Sequence, residues 1–169
     1  MKKESGKSNK QRSRVAPMVR GAMNTKARGD LAELAFVLKA ASLGFGVSQP
    51  HGDNERYDFV VDSGKRLWRV QVKSTCCAFG KGGYYAQSCG GNHLYQAKEI
   101  DFLAAYIVPR DIWYVIPVNR IRSLHSLTLY PSGCRKGGGR FECYREAWHL
   151  MAVHEPAGRS SKTSRQRLI

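Results

Sequence analysis

Asp58 and the run Gln71-Val72-Lys73 are the residues of this 169-residue chain whose types best suit chemistry. They offer a carboxylate, a side-chain amide carbonyl, a backbone carbonyl and an ammonium. Oxygen donors of this kind suit a hard divalent cation. Such a cation relieves phosphate charge and activates a water, the two needs of phosphodiester hydrolysis. The Lys73 ammonium could orient the attacking water or neutralise developing charge. Glu33 could complete the ligand set directly or through a water, and Gly29, one helical turn earlier, removes side-chain bulk beside it.

These residues meet only if the elements carrying them do. Residues 24–43 read as an α-helix whose apolar stripe is Leu31, Leu34, Ala35 and Leu38. Asn24 or Thr25 can cap its start, and Gly44 suits the position after its end. Residues 45–49 read as a strand ended by Pro50, and 57–62 and 65–74 as the arms of a hairpin. A turn centred on Ser63-Gly64 pairs Asp58 with Arg69, one diagonal step from Gln71. Side chains alternate along a strand, so Leu67, Arg69, Gln71 and Lys73 share one face, and Trp68, Val70 and Val72 the other. Directly opposed residues share a face, so Asp58, Gln71 and Lys73 point the same way. An ordinary half-buried hairpin with a polar solvent face has the same pattern, so spacing alone leaves both readings open.

Beyond the hairpin, 80–83 form a glycine-rich loop and 84–87 a strand. The apolar runs 102–108 and 112–116 form a second hairpin through Pro109-Arg110-Asp111. A short strand at 127–130, an exposed loop at Gly137-Gly138-Gly139 and a closing helix at 144–152 follow. The order implies an α/β fold, one mixed β-sheet flanked by α-helices. A single domain over 24–155 is expected, between a basic disordered arm at 1–23 and a basic disordered tail at 156–169.

The net charge of +15 is concentrated at the ends. Residues 1–28 hold nine Lys/Arg and one acid, and 156–169 hold four and none, so +12 lies there and +3 in between. Such ends cannot bury enough apolar surface to fold alone and suit a polyanion, most simply nucleic acid. Neither carries an apolar helical face for a membrane surface. No apolar run is long enough to span a bilayer, and the basic N-terminus lacks a signal peptide's apolar core. Five cysteines (76, 77, 89, 134, 143), an odd number, point to free thiols in a reducing compartment, hence a cytoplasmic protein, nucleoid-associated if bacterial.

Taken in order, Gly29-Asp30-Leu31-Ala32-Glu33, Tyr57-Asp58-Phe59 and Arg69-Val70-Gln71-Val72-Lys73-Ser74 resemble the PD-(D/E)XK nuclease superfamily. More narrowly, the chain is similar to the group I intron-associated PD-(D/E)XK homing endonucleases. Ile100-Asp101-Phe102-Leu103, Trp113-Tyr114-Val115-Ile116-Pro117 and Tyr144-Arg145-Glu146-Ala147-Trp148 match that branch, and the resemblance spans about residues 25–152. It implies a restriction-endonuclease-like core, a divalent metal, usually Mg2+ with Mn2+ able to substitute, and cleavage of double-stranded DNA. Glu33 would be the helix carboxylate, Asp58 the central metal ligand and Lys73 the motif lysine. Gln71 takes the usual acid position, as that branch tolerates; it keeps an oxygen donor but loses a charge. Tyr57 stands where the motif's proline would be. One small domain with one site cuts one strand, so a homo-oligomer, dimer or tetramer, is expected.

Arg69, Lys81, Arg120, Arg122, Arg135, Lys136 and Arg140 are the DNA-contact candidates, several of them in or beside glycine-rich loops. Tyr84, Tyr85, Tyr106, Trp113 and Tyr114 fit packing within the sheet better than base stacking. His51 lies near the proposed site in a surface loop. Cys76-Cys77 with Cys89 and His93 have no CxxC spacing and make a poor zinc set. The leading expectation is a homing-type endonuclease. Its rivals are a junction-resolving or restriction-type nuclease and a DNA-binding protein of the same fold with a dead site.

Overall fold

The computed structural model describes residues 24–52, 54–80, 82–133 and 139–152. The expected arm and tail, with Lys81, Cys134, Arg135 and Lys136, lie outside the described residues. Helix α1 (Thr25–Ser42) leads into strands β1 (Gly46–Ser48), β2 (Phe59–Asp62) and β3 (Leu67–Thr75). Then come β4 (Ala78–Phe79), β5 (Gly83–Gln87), β6 (Cys89–Gly90), β7 (His93–Leu94), β8 (Phe102–Ile107), β9 (Ile112–Pro117) and β10 (Ser126–Leu129).

Asn24 caps α1: its backbone is extended and its side chain accepts the Ala27 N–H at 2.7 Å. The helix stops at Gly44, whose φ of +86° suits glycine and whose N–H bonds Ala41 O at 3.0 Å. The buried face is not the expected leucine stripe. Ala32, Phe36 and Ala40 are buried, whereas Leu31, Leu34 and Leu38 are 39%, 70% and 74% exposed. The helix is apolar on two sides, and small alanines let the backbone approach the sheet where leucines would hold it off. Phe36 fills the gap, with ring centroids 5.2 Å from Phe59 and 5.7 Å from both Trp113 and Trp148. Its burial contributes about 1.5–3 kcal/mol.

The main sheet runs β1-β2-β3-β8-β9; β3 and β8 are parallel and the other neighbours antiparallel. It is the expected mixed sheet of an α/β fold. One face packs on α1 through Phe59, Val61, Val70, Val72, Phe102 and Ala104. The other, with Leu103, Ala105, Ile107 and Ile116, packs on the small antiparallel sheet β10-β5-β4. With both faces covered, β8 is buried along its whole length, which explains its unbroken apolar run.

The hairpin register differs from expectation. The loop is 63–66, closed by Ser63 N–H to Arg66 O at 3.0 Å, and Val60 rather than Asp58 stands opposite Arg69. Continuing this register brings Asp58 opposite Gln71. The shift is an even number of residues, so every side chain keeps its expected face.

The closing helix is also corrected. Two single 3₁₀ turns, Glu142–Tyr144 and Trp148–Leu150, replace it. Between them Arg145 bridges Tyr114 as a strand would, and Glu146 adopts φ 49°. The Glu146 carboxylate accepts the Trp113 N–H and the Trp148 indole N–H, each at 2.8 Å, which favours this kink over a helical turn. Among the described residues no helix is long and apolar enough to cross a membrane.

Candidate active site

The site forms where β2 begins, beside the middle of β3. The Asp58 N–H bonds Val70 O at 2.9 Å, extending the ladder by one step and fixing the direction of the side chain. Its Oδ2 accepts the Val72 N–H at 2.7 Å and the Gln71 amide at 2.5 Å. The same Gln71 Nε2 lies 3.3 Å from Val72 O. Both partners are acceptors only, so the amide nitrogen must face them and the amide oxygen turns away. Gln71 is buried, which few side chains of its type are without such bonds.

Burial raises the Asp58 carboxyl above its ordinary pKa; the Val72 N–H, the Lys73 ammonium and the Gln71 amide pull the other way without cancelling it. Glu33, on α1, is raised as well, first by burial, then by the charges of Asp58 and Asp30, with Lys73 opposing. Glu33, Asp58 and Lys73 therefore share one electrostatic neighbourhood, short of positive charge. Tyr95 completes it. Its buried ring lies 5.9 Å below the Lys73 ammonium, and its hydroxyl is pushed well above the usual tyrosine value by burial and then by Asp58. Sequence reading missed Tyr95, a lone aromatic in an irregular stretch; the preceding Gly90-Gly91 was its only hint. A Cβ on Gly90 would stand 3.3 Å from the Tyr95 hydroxyl, so glycine makes room for the ring.

Among the described residues no three His, Cys, Asp or Glu side chains gather as a ready metal cluster. The donor set is thinner: the Asp58 and Glu33 carboxylates, the Val72 carbonyl and the Gln71 amide. It is all oxygen, with no thiol or imidazole, and its two carboxyls are raised chiefly by burial. That chemistry fits a hard divalent cation. Gln71 would contribute its oxygen only after its amide turns over.

The DNA-contact candidates divide. Arg69 is engaged within the protein: Nε and Nη2 bond the two Asp101 oxygens at 3.1 Å, Nη2 bonds Ala97 O at 2.9 Å, and Nη1 bonds Lys98 O. It ties the segment before β8 to β3. Arg120, Arg122 and Arg140 are exposed. Arg140 donates to Arg120 O at 3.4 Å, so these two stand together, and Arg122 lines a shallow hollow with Lys98. Tyr84, Tyr106, Trp113 and Tyr114 are buried, as a packing role requires, while Tyr85 is half exposed and stacks on Phe79 at 4.0 Å. His93 pairs with Glu99 at 2.9 Å, and the buried Cys89 thiol donates to Gly91 O at 3.0 Å, away from Cys76 and Cys77.

Residues 23–151 match the family described as PD-(D/E)XK endonuclease. Among solved structures, a bacterial homing endonuclease, I-Ssp6803I, is similar with a TM-score of 0.66 and 35% sequence identity, over 75% of this chain and 90% of that one. No curated protein matches.

Proposed function

The chain belongs to the PD-(D/E)XK endonuclease family, and from that premise we propose that it is a homing-type endonuclease that hydrolyses phosphodiester bonds in double-stranded DNA with a divalent metal. The observation that carries this reading is the bonding of Asp58 to Gln71 and Val72 beside Glu33 and Lys73. The homing type rests on likeness to I-Ssp6803I, itself a homing endonuclease.

In this reading Asp58, Glu33, Gln71 and the Val72 carbonyl hold the ion, Mg2+ by preference, with Mn2+ able to replace it. Once bound, the ion supplies Lewis acidity and an activated water. Lys73 aims its ammonium at the phosphate oxygens, where charge grows during attack, and Tyr95 holds that ammonium from below. Arg120, Arg122 and Arg140 bind backbone phosphates, together with Lys81, Arg135 and Lys136 from the loops. One site cuts one strand, so a double-strand break needs a homo-oligomer, dimer or tetramer. The leucines 31, 34 and 38, exposed on one face of α1, support association with a second copy.

The test is to incubate the full chain with DNA from a target library and Mg2+, and to compare Asp58→Ala and Lys73→Ala. Metal-dependent cleavage that both variants abolish is expected. Undiminished cleavage by either would refute the assigned site. One observation favours a second reading, a DNA-binding protein that has lost its cut: Gln71 is neutral and turns its nitrogen toward the oxygens. Tight DNA binding with no cleavage at any metal concentration would establish it.

A further inference from the structure

The two arginines flanking the site are treated in opposite ways. Arg69 has its guanidinium bonded to Asp101 and to two carbonyls. Arg28, near the start of α1, has a buried Nε with no partner, and its guanidinium makes no hydrogen bond or ion pair among the described residues. Taking part of a guanidinium out of water without a partner is costly. Such a group is stabilised when something beyond the described residues completes it.

The surroundings of Arg28 say what that is. It lines a groove of about 460 Å³ between the start of α1, the end of β3 and strands β5 and β10. Thr25, Ser74, Gln87 and Ser126 line it too, offering hydroxyl and amide groups, and no carboxylate does. The first turn of α1 carries no acid, and its positive dipole end opens on the groove at Thr25. Ser74 directly follows Lys73 on β3 and reaches back to Arg28 O at 3.5 Å. One unpaired guanidinium, several neutral donors and no acid suit an anion with several oxygens. The groove lies at the end of β3 that follows Lys73, on the side of the sheet opposite the Lys73 side chain, and an extended polyanion such as DNA can reach both.

We infer that this groove holds a backbone phosphate of the DNA, with Arg28 as its charged contact. The inference rests on the DNA-cleaving reading and deepens it. Arg28 was not among the basic residues singled out from sequence, because what marks it is a missing partner.

The experiment measures binding of a random-sequence DNA duplex to the full chain over a salt series without added metal, so that no turnover interferes. Arg28→Gln is expected to weaken binding on the order of tenfold. It should also reduce the slope of log affinity against log salt by about 0.9, the value for one lost phosphate contact. Arg28→Lys should keep most of that slope. The melting temperature of the free Arg28→Gln protein should stay level or rise, since an unpaired buried group has been removed. An unchanged salt slope, or a lowered melting temperature with normal binding, makes Arg28 structural and overturns the inference. The two readings fail separately. A wild-type chain that binds but never cuts defeats only the cleavage reading. A wild-type chain that cuts, with Arg28→Gln showing the wild-type slope, defeats only the groove.

Discussion

Two pairs of carboxylates sit in this small fold under opposite conditions. Glu142 accepts the Tyr114 hydroxyl at 2.8 Å and the Tyr130 N–H at 3.0 Å, with Arg145 at 3.7 Å. Glu146 accepts two tryptophan N–H groups and has Lys39 at 3.5 Å. Around them donors outnumber the acids, and the chain is locked into its kink. Glu33 and Asp58 have one lysine between them, repel each other and hold their protons more tightly than exposed acids do. The first pair completes the fold; the second is left short of positive charge. A carboxylate's surroundings thus separate an acid that completes the fold from one held under electrostatic tension, even where both lie beside buried aromatics.

Substitutions can break this contrast. The largest effect is expected at the pair short of positive charge: Asp58→Ala should lower the cleavage rate by roughly 10²- to 10⁴-fold. The variant's melting temperature should fall less than that of Glu146→Ala, because removing a buried carboxyl offsets the lost Val72 and Gln71 bonds. Loss of cleavage accompanied by a large drop in melting temperature would place Asp58 with the structural acids. At the satisfied pair, Glu146→Ala should do the reverse. It leaves the Trp113 and Trp148 N–H groups unpaired, roughly 1–3 kcal/mol each, and denaturant titration should show that loss while the folded fraction still cuts.

A finer test uses pH. Glu33 and Asp58 have raised pKa values in the folded chain, so their contribution to stability is full below the ordinary carboxylate range and is lost as pH rises through the raised values. The metal-free protein should therefore lose part of its stability over that window, and Asp58→Asn should flatten the loss. Identical pH profiles for the two would remove the charge shortage from the account. Gln71→Glu should sharpen the contrast by adding a third acid, lowering the metal concentration needed for half-maximal rate on the order of tenfold. The smallest effect on the folded chain is expected for Leu34→Glu on the exposed face of α1. It should change monomer stability by under about 0.5 kcal/mol, yet sedimentation should show a smaller assembly.

Much of this was readable beforehand because it depends on short-range rules. The two-residue alternation of 67–73 put Gln71 and Lys73 on one face and Val70 and Val72 on the other, and the Asn24 cap lies beside the N–H it accepts. What escaped depends on distant partners. Nothing near Arg69 announces Asp101, which lies beyond two intervening hairpins. Nothing along 144–152 announces that Glu146 will reach the backbone of β9 and break the helix. In α1 both candidate faces are apolar, and only the shape of the sheet decides that alanines and one phenylalanine face inward. The hairpin register was open by an even step, because parity constrains faces and not partners.

The orientation of the Gln71 amide bears on how the folded chain keeps its buried acids together. With its nitrogen between Asp58 Oδ2 and Val72 O, the side chain sets the positive end of its amide dipole against both oxygens. A glutamate there would leave three acids facing one lysine. Glutamine instead holds Asp58 by a hydrogen bond and adds no further like charge beside it.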